Sequence, residues 1–264
     1  MGVPFRTLAR TFAPFGLVEW RRSRIYARGL RKYGIVGNSG RIATSAATAR
    51  FDLWPEALRQ RPALWTLVDV GANEGQFLAA VRKLVAPARV FAFEPLPQCQ
   101  PMLQREVAQY PCGSVFQLVI DESRGRREFL RTADSKFSSA LEPSRGVDTM
   151  YAGSDVRIIE RIEARSETLD DVLRDLSGEI GLLKIDVQGM EARVLRGATG
   201  TLRKTNAVLI EVNYRRHYEG AAGYRETFDL LHGNGFELHG ISCPFQGAVG
   251  PLWADALFAK GSNR

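Results

Sequence analysis

Three acidic residues, Glu94, Asp121 and Asp186, each follow a short apolar run that has the composition of a buried strand. In a parallel sheet the carboxyl ends of the strands meet at one edge, and ligands bind in the crevice outside that edge. We therefore expect the three carboxylates to face a ligand bound at this edge. Carboxylates placed in this way can accept hydrogen bonds from hydroxyl or amino groups, or take a proton from a reacting hydroxyl.

A turn with two glycines follows the first predicted strand. The residues expected to contact a cofactor there are Gly71, Ala72, Asn73 and Gly75, because glycine lets the backbone pass close to a ligand at a strand end. The turn departs from the G-x-G-x-x-G pattern of dinucleotide-binding proteins. Asn73 and Glu74 crowd the place where a pyrophosphate needs small residues and free amides, which favours S-adenosylmethionine over NAD.

Three carboxylates fit the parts of such a cofactor. Glu94 ends the second strand about 20 residues after the glycines, where an acid can accept hydrogen bonds from both ribose hydroxyls. Asp121 ends the third strand and is placed to accept from an adenine amino group, with a simple turn aspartate as the alternative. Asp69 can bind the ammonium group of an amino acid, which S-adenosylmethionine carries and NAD lacks.

The elements that position these residues alternate short β-rich runs with helical patterns, which is typical of a parallel α/β architecture. Most of the strand candidates are continuous apolar runs, as expected for a sheet covered by helices on both faces. They are Thr66–Val70, Arg89–Phe93, Val115–Ile120, Leu182–Asp186 and Ala207–Val212, followed by Phe236–Ile241 and Ala256–Lys260 as a reversed hairpin. Helical patterns cover Glu74–Val85, Leu169–Leu176 and Tyr224–Leu231. Residues 121–162 predict a hairpin and a loop that could serve as a substrate lid.

Five motifs occur in a fixed order: Val68–Phe77, Phe93–Pro95, Leu183–Glu191, Val194–Ala198 and Ile210–Val212. Together they resemble the FkbM-type S-adenosylmethionine-dependent methyltransferases, and the resemblance covers roughly residues 66–260. It implies a class I methyltransferase fold, Rossmann-like and doubly wound, with a mostly parallel sheet whose last strand is reversed. It also implies methyl transfer to a hydroxyl group of a sugar, a glycan or a polyketide-type product.

The resemblance bears on individual residues as well. Ser138 and Ser139 are similar to a serine-bearing stretch near the cofactor in this family, with exposed turn serines as the alternative. Gln188 departs from the family pattern, which commonly has Glu at that place. A role that requires a charge at position 188 therefore does not carry over to this chain.

Transfer of a methyl group from a sulfonium to a hydroxyl requires in-line approach and removal of the hydroxyl proton. In one mechanism, Asp186, Glu211 and Asn213 bind Mg²⁺, which lowers the pKa of the substrate hydroxyl. In the other, Asp186 or His217 is the general base without a metal, and this version is slightly favoured because no second pair of acids is evident. Lys184 shares a strand face with Asp186 and is a further catalytic candidate. Structural roles are the alternatives for His217 and Lys184.

Charge is unevenly distributed along the chain. Residues 1–50 contain ten Lys or Arg residues and one acid, a net charge of +9, whereas the whole chain has +7. This basic arm is expected to be a helical extension in front of a methyltransferase domain at residues 51–264. A helix packed on the domain is its simplest interpretation. The aromatic residues among its cations also fit peripheral contact with an anionic membrane surface.

Composition excludes several classes of protein. The hydrophobic share of 45% and the charged share of 25% are typical of a soluble globular protein. Cys99, Cys112 and Cys243 are scattered, which indicates neither a disulfide scaffold nor a zinc site. Without a membrane-spanning run or a secretory signal pattern, a cytoplasmic location is expected, with the inner membrane face as a peripheral site. The expected partner is a small-molecule or glycan acceptor with a free hydroxyl, and a homo-oligomer is compatible with the sequence.

The basic arm motivates one alternative function, an RNA ribose-hydroxyl methyltransferase or a nucleic-acid-binding protein. Nucleic acid is disfavoured because residues 186–189 lack the Pro-Pro-aromatic turn of base-amine methyltransferases and the arm has no recognisable RNA module. A NAD-dependent oxidoreductase is disfavoured by the missing glycine pattern. A scaffold that keeps the pocket without activity is the remaining alternative, and an activity measurement separates it.

Overall fold

The computed structural model describes residues 65–82, 87–151, 154–242, 244–247 and 250–261. The strands are β1 (Thr66–Val70), β2 (Arg89–Phe93), β3 (Cys112–Phe116), β4 (Val119–Ile120), β5 (Gly125–Thr132), β6 (Ile158–Glu167), β7 (Ile180–Ile185), β8 (Ala207–Asn213), β9 (Phe236–Ile241), β10 (Phe245–Gly247) and β11 (Gly250–Lys260). The α-helices are α1 (Gln76–Val81), α2 (Gln100–Val107), α3 (Val147–Met150), α4 (Leu169–Val172), α5 (Glu191–Arg196), α6 (Thr199–Arg203) and α7 (Tyr224–Gly233). Short 3₁₀ helices cover Pro97–Cys99 and Ser135–Phe137.

The basic arm lies outside the described residues, and so do the first residues of the predicted domain. The expected contacts of the arm with the domain or with a membrane therefore stay predictions. Within the ranges that the structure describes, no helix is both long enough and apolar enough to cross a bilayer.

The large sheet has the strand order β10-β11-β8-β7-β1-β2-β3, and β9 pairs with the other half of β11. The five strands from β8 to β3 are parallel to one another. The last strand, β11, runs antiparallel to both β8 and β9 and lies between them. This doubly wound sheet with a reversed last strand confirms the predicted fold class.

The central strands are buried on both faces, as their continuous apolar sequences predict. On one face, Val68 packs in a core that includes helices α5 and α7. On the other face, Leu67 and Leu182 pack with helices α1 and α2. Because side chains alternate along a strand, Asp69 and Lys184 also lie on this second face, and the register of β1 and β7 makes them direct neighbours.

Two predicted elements differ from the structure. The predicted strand Val115–Ile120 is two strands, because the chain leaves the large sheet after β3 and enters a small sheet as β4. The helical stripe over Leu169–Leu176 forms only one turn of regular helix, α4. Its predicted cap is confirmed, since the Thr168 hydroxyl accepts a hydrogen bond from the Asp171 N–H at 3.0 Å.

The small sheet holds the segment that was expected to be a hairpin and a loop. Its order is β4-β6-β5, and β5 and β6 form a long antiparallel pair. The chain between these two strands carries the 3₁₀ helix Ser135–Phe137 and helix α3. We call the described residues between these strands, 133–151 and 154–157, the connecting segment. It passes over the carboxyl edge of the large sheet, since Ser135, Phe137 and Tyr151 line a cavity there.

The end of β1 passes very close to the end of β7. The Asp186 N–H donates a hydrogen bond to the Val70 carbonyl at 3.0 Å. Gly71 has φ +80°, and a β-carbon there would overlap with the carbonyl oxygen of Asp186. Glycine is therefore required both by the left-handed backbone and by the lack of space. This crossing brings the predicted cofactor turn and Asp186 to one point of the sheet edge.

A substitution at this crossing tests its importance. We expect Gly71→Ala to lower the free energy of unfolding by about 2–5 kcal/mol, because left-handed strain and overpacking act together. Urea unfolding followed by circular dichroism measures the change. Gly223→Ala is the matched control, since no atom lies within 4 Å of a β-carbon placed there. Equal stability of the two variants would contradict the close crossing.

Candidate functional site

A cavity of about 490 Å³ opens at the carboxyl edge of the large sheet, beneath the connecting segment. Many of the residues predicted from the sequence face it. These are Gly71, Ala72, Asn73, Glu94, Ser138, Lys184, Asp186 and Glu211. The other predicted residues, Asp69, Gly75, Asp121, Ser139, Asn213 and His217, lie outside the set that lines the cavity.

Glu94 is buried at the end of β2 and holds the turn after β1 in place. Its Oε2 accepts a hydrogen bond from the Asn73 N–H and its Oε1 accepts one from the Leu96 N–H, both at 2.9 Å. Asn73 has φ +48°, so this bond also secures a left-handed residue. Burial raises the pKa of Glu94 to about 7, although the two N–H donors and Lys184 oppose the shift. The carboxylate that is expected to bind ribose hydroxyls thus also shapes the cofactor turn.

Lys184 makes structural contacts on the cavity floor. Its Nζ lies 3.1 Å from Asp69 Oδ1 and 3.6 Å from Asp186 Oδ2, and it donates a hydrogen bond to the Gly71 carbonyl at 2.8 Å. The side chains of Asp69 and Lys184 are almost fully buried. These contacts match the structural ion pair, the alternative for Lys184 in the sequence analysis. Asp69 is thus paired with Lys184 and lies outside the cavity lining, so the structure gives no support to its expected bond with a cofactor ammonium group.

Asp121 is fully buried, and its carboxylate is bound by two guanidinium groups. Arg193 contacts Asp121 at 2.8 and 3.0 Å, and Arg127 also bonds to it. Its Oδ1 further accepts the Glu122 N–H at 2.7 Å. Because these donors occupy the carboxylate behind the cavity wall, the structure does not place Asp121 to accept from an adenine amino group. The apolar residues before it, including Ile120, face the cavity instead.

Asp186 faces the cavity and is held from behind by Gln188. The Gln188 Nε2 donates to Asp186 Oδ1 at 3.0 Å, and its Oε1 accepts from the Tyr218 hydroxyl at 2.8 Å. Gln188 has φ +55°, a left-handed conformation that is unusual for a residue with a side chain. Buried Glu191 stabilises this turn, since its Oε1 accepts the N–H groups of Val187 and Gly189, both at 3.1 Å. An amide at position 188 can donate to Asp186, which a carboxylate cannot do.

The three predicted magnesium ligands do not all reach the cavity. Asp186 and Glu211 line it, whereas Asn213 is buried outside the lining and donates its amide to Glu211 Oε1 at 3.2 Å. Among the described residues, no three His, Cys, Asp or Glu side chains form a group that could hold a metal ion. The magnesium hypothesis therefore has no support in the described part of the chain.

His217 lies outside the cavity lining, so the structure gives no support to its expected direct contact with a substrate hydroxyl. Its Nδ1 is 2.9 Å from the hydroxyl of Tyr151, and Tyr151 lines the cavity. Burial lowers the pKa of His217 to about 4, which disfavours its protonated form. Tyr151 and His217 are 66 positions apart, and no sequence pattern links them.

The serines of the connecting segment attach it to both sides of the cavity. Ser135 Oγ accepts from the Asn73 side-chain amide at 3.1 Å, and Ser139 Oγ donates to the Gln188 carbonyl at 2.7 Å. Ser138 Oγ accepts the Thr132 N–H at 3.1 Å and faces the cavity. The segment is thereby joined to the cofactor turn and to the turn that carries Asp186.

Several residues of the site were not anticipated from the sequence. They are Phe137, Tyr151, Glu191, Tyr218, Phe245 and Trp253. Most come from the connecting segment or from the chain after β9, where no periodic pattern or strand end indicates a site. Glu191 had a signal, because it ends one of the five motifs.

The sequence of the chain matches one protein-family model, described as the methyltransferase FkbM domain, over residues 69–238. The chain belongs to the FkbM methyltransferase family. The matched range contains Glu94, Asp186 and the turn at Gly71, whereas Phe245 and Trp253 lie beyond it. The chain is accordingly an S-adenosylmethionine-dependent methyltransferase.

Curated relatives agree with membership of the FkbM family. The 2-O-methyltransferase NoeI of Sinorhizobium fredii is 28% identical over 172 residues, which cover 62% of this chain and 70% of the relative. The 31-O-demethyl-FK506 methyltransferase FkbM of Streptomyces tacrolimicus is 30% identical over 189 residues, which cover 64% of this chain and 71% of the relative. Among solved structures, an rRNA methylase from Streptococcus thermophilus superposes with a TM-score of 0.47 at 10% identity, covering 83% of this chain and 98% of that chain.

The raised pKa of Glu94 predicts a pH dependence of stability. In the folded protein the Glu94 carboxyl stays protonated up to about pH 7, whereas its ordinary pKa is 4.5. Between these two pH values unfolding therefore releases a proton. We expect the free energy of unfolding of the ligand-free protein to fall as the pH rises from 4.5 to about 7. Urea unfolding at several pH values measures the slope.

Glu94→Gln should flatten this slope, and Glu191 should account for part of what remains because burial also raises its pKa to about 7. Glu74→Gln, a change at an exposed carboxylate, is the control. A slope that Glu94→Gln leaves unchanged would show that Glu94 is ionised in the folded protein across this range.

Proposed function

We propose that the protein transfers the methyl group of S-adenosylmethionine to a hydroxyl group of a sugar, a glycan or a related natural product. The observation that carries this proposal is the position of Glu94 and Asp186 on the wall of one cavity. One carboxylate suits the ribose of the cofactor, and the other suits the hydroxyl that accepts the methyl group.

The cofactor is proposed to lie along the turn after β1. Glu94 accepts hydrogen bonds from the two ribose hydroxyls, and the ligand lies over the backbone of Gly71 and Ala72. Both N–H groups of this backbone donate to the Phe93 carbonyl at 3.0 Å, which holds the turn in place. Apolar residues at the β4 end of the cavity, among them Ile120, provide the adenine environment. In this orientation the sulfonium group points towards β7 and Asp186.

Asp186 is proposed to take the proton from the acceptor hydroxyl. Its carboxylate faces the cavity, while Gln188 fixes Oδ1 and Lys184 lies 3.6 Å from Oδ2. These two neighbours hold the side chain in one orientation, which general base catalysis requires. Glu211 lies on the same wall and provides a second acceptor for substrate hydroxyls.

The relatives support oxygen as the atom that receives the methyl group. Both NoeI and FkbM are named for methylation at oxygen, and of the two names the second alone gives an acceptor. The two names therefore define no shared substrate for this chain.

Loss of the Glu94 carboxylate tests the cofactor part of the proposal. We expect Glu94→Ala to weaken binding of S-adenosylhomocysteine by about 1–3 kcal/mol, because charged acceptors for two hydroxyls are lost. Isothermal titration calorimetry at pH 8 measures the affinity, with Glu74→Ala as the control. An unchanged affinity would remove Glu94 from cofactor binding.

Loss of the Asp186 charge tests the catalytic part. Asp186→Asn keeps the size of the side chain but removes its ability to accept a proton, so turnover should fall by about 10²–10⁴-fold. Binding of S-adenosylhomocysteine should be retained within about twofold. Release of S-adenosylhomocysteine in the presence of an acceptor measures turnover, with Glu219→Gln as the surface control. An active Asp186→Asn variant would exclude Asp186 as the base.

A further inference from the structure

Aromatic side chains form a cluster on the cavity wall near Asp186. Phe245 stacks on Trp253 with ring centroids 5.4 Å apart and an interplanar angle of 5°, and on Tyr151 with 5.8 Å and 25°. Phe137 meets the Tyr151 ring edge-on at 4.8 Å. All four rings line the cavity. We call these four residues the aromatic wall.

Half of the aromatic wall lies beyond the matched family domain. The match ends at residue 238, whereas Phe245 belongs to β10 and Trp253 to β11. The register of β11 with β8 places Trp253 opposite Asn213. Asn213 and Glu211 are two positions apart on β8, so Trp253 and Glu211 lie on the same face of the sheet. The chain after the matched domain therefore adds apolar surface beside the carboxylates at the acceptor end.

The charge of the cavity limits what can lie against this wall. Of the described residues that line the cavity, the basic ones are Lys136 and Lys184. Lys184 is engaged by Asp69, Asp186 and the Gly71 carbonyl, and Lys136 lies on the exposed side of the connecting segment. Burial raises the pKa of Tyr151, and the negative charges of Glu211 and Asp186 raise it further. A phosphate or carboxylate on the acceptor would be repelled there.

We infer that the aromatic wall, together with Asp186 and Glu211, forms an acceptor subsite for an uncharged pyranose ring. A pyranose has C–H groups that pack on aromatic surface and hydroxyls that donate to carboxylates. The subsite rests on the proposed function, because it assigns the acceptor of the same cavity. Phe245 and Trp253, which lie beyond the matched residues, are the specificity-determining residues of this subsite.

A cationic acceptor fits the geometry less well. An aromatic cage for a cation needs rings that surround the charge, whereas Phe245 stacks on both Tyr151 and Trp253, so the three rings form a stack and not an enclosure. The carboxylates also have neighbours already, since Gln188 donates to Asp186 and Asn213 donates to Glu211. Each carboxylate can still accept hydrogen bonds from neutral hydroxyl groups, because its two oxygens have several acceptor sites.

Saturation-transfer NMR on the full chain loaded with S-adenosylhomocysteine tests this subsite. The probes are uncharged methyl pyranosides of differing configuration, with methyl glucoside, its uronic acid and its 2-amino derivative as a matched set. We expect transfer to the ring C–H protons of uncharged pyranosides, and weaker transfer to the uronic acid and to the amino sugar.

Variants identify the surface that the probes contact. Phe245→Leu should raise the Kd of the pyranoside roughly threefold to tenfold, the loss of one aromatic contact, while the affinity for S-adenosylhomocysteine stays unchanged. The Phe245 side chain is 41% exposed, so the fold tolerates this change. The double variant with Trp253→Leu should weaken binding further. Tyr224→Leu, a change at an exposed aromatic residue of α7 outside the cavity lining, is the matched control.

The possible results separate this subsite from the proposed function. Stronger binding of the uronic acid or of the amino sugar than of methyl glucoside would overturn the inference, as would equal Kd values for the wild type and Phe245→Leu. Binding of S-adenosylhomocysteine without binding of any pyranoside would overturn it while leaving the methyltransferase assignment intact. Failure of the wild type to bind S-adenosylhomocysteine would overturn both.

Discussion

The buried ammonium group of Lys184 joins the two halves of the site. It contacts Asp69 on β1, the carbonyl of Gly71 in the cofactor turn, and Asp186 at the end of β7. A buried charge is stable only when its partners are close and its hydrogen bonds are made. The end of β1 and the end of β7 are therefore fixed relative to one another. Because Gly71 has no side chain, the two strand ends can approach as closely as this interaction requires.

The connecting segment extends this arrangement over the top of the cavity. Ser135 bonds to Asn73 on the cofactor side, and Ser139 bonds to the Gln188 carbonyl on the acceptor side. The Tyr218 hydroxyl lies 3.0 Å from the Phe137 carbonyl and 2.8 Å from Gln188 Oε1, so it links the segment to the residue that orients Asp186. A shift of the segment would thus disturb both the turn that Glu94 holds in place and the orientation of Asp186.

Residues at strand ends could be predicted from the sequence, because a buried parallel strand and its last residue are both visible as local patterns. Glu94 and Asp186 reach the cavity for this reason. Asp121 also ends a strand, yet its carboxylate is bound by Arg127 and by Arg193, which is 72 positions away along the chain. No local sequence pattern shows which cation a carboxylate will bind in the fold. The contact between His217 and Tyr151 is hidden for the same reason. The aromatic wall depends on how β10 and β11 fold back beside β8, which the spacing of aromatic residues does not reveal.

A crystal structure of the protein with S-adenosylhomocysteine tests the placement of the two carboxylates most directly. We expect both ribose hydroxyls to bond to the Glu94 carboxylate and the sulfur atom to face the side of the cavity formed by Asp186 and the aromatic wall. A ligand with its ribose away from Glu94, or with its sulfur turned away from Asp186, would contradict the binding of the cofactor at Glu94 and of the reacting hydroxyl at Asp186.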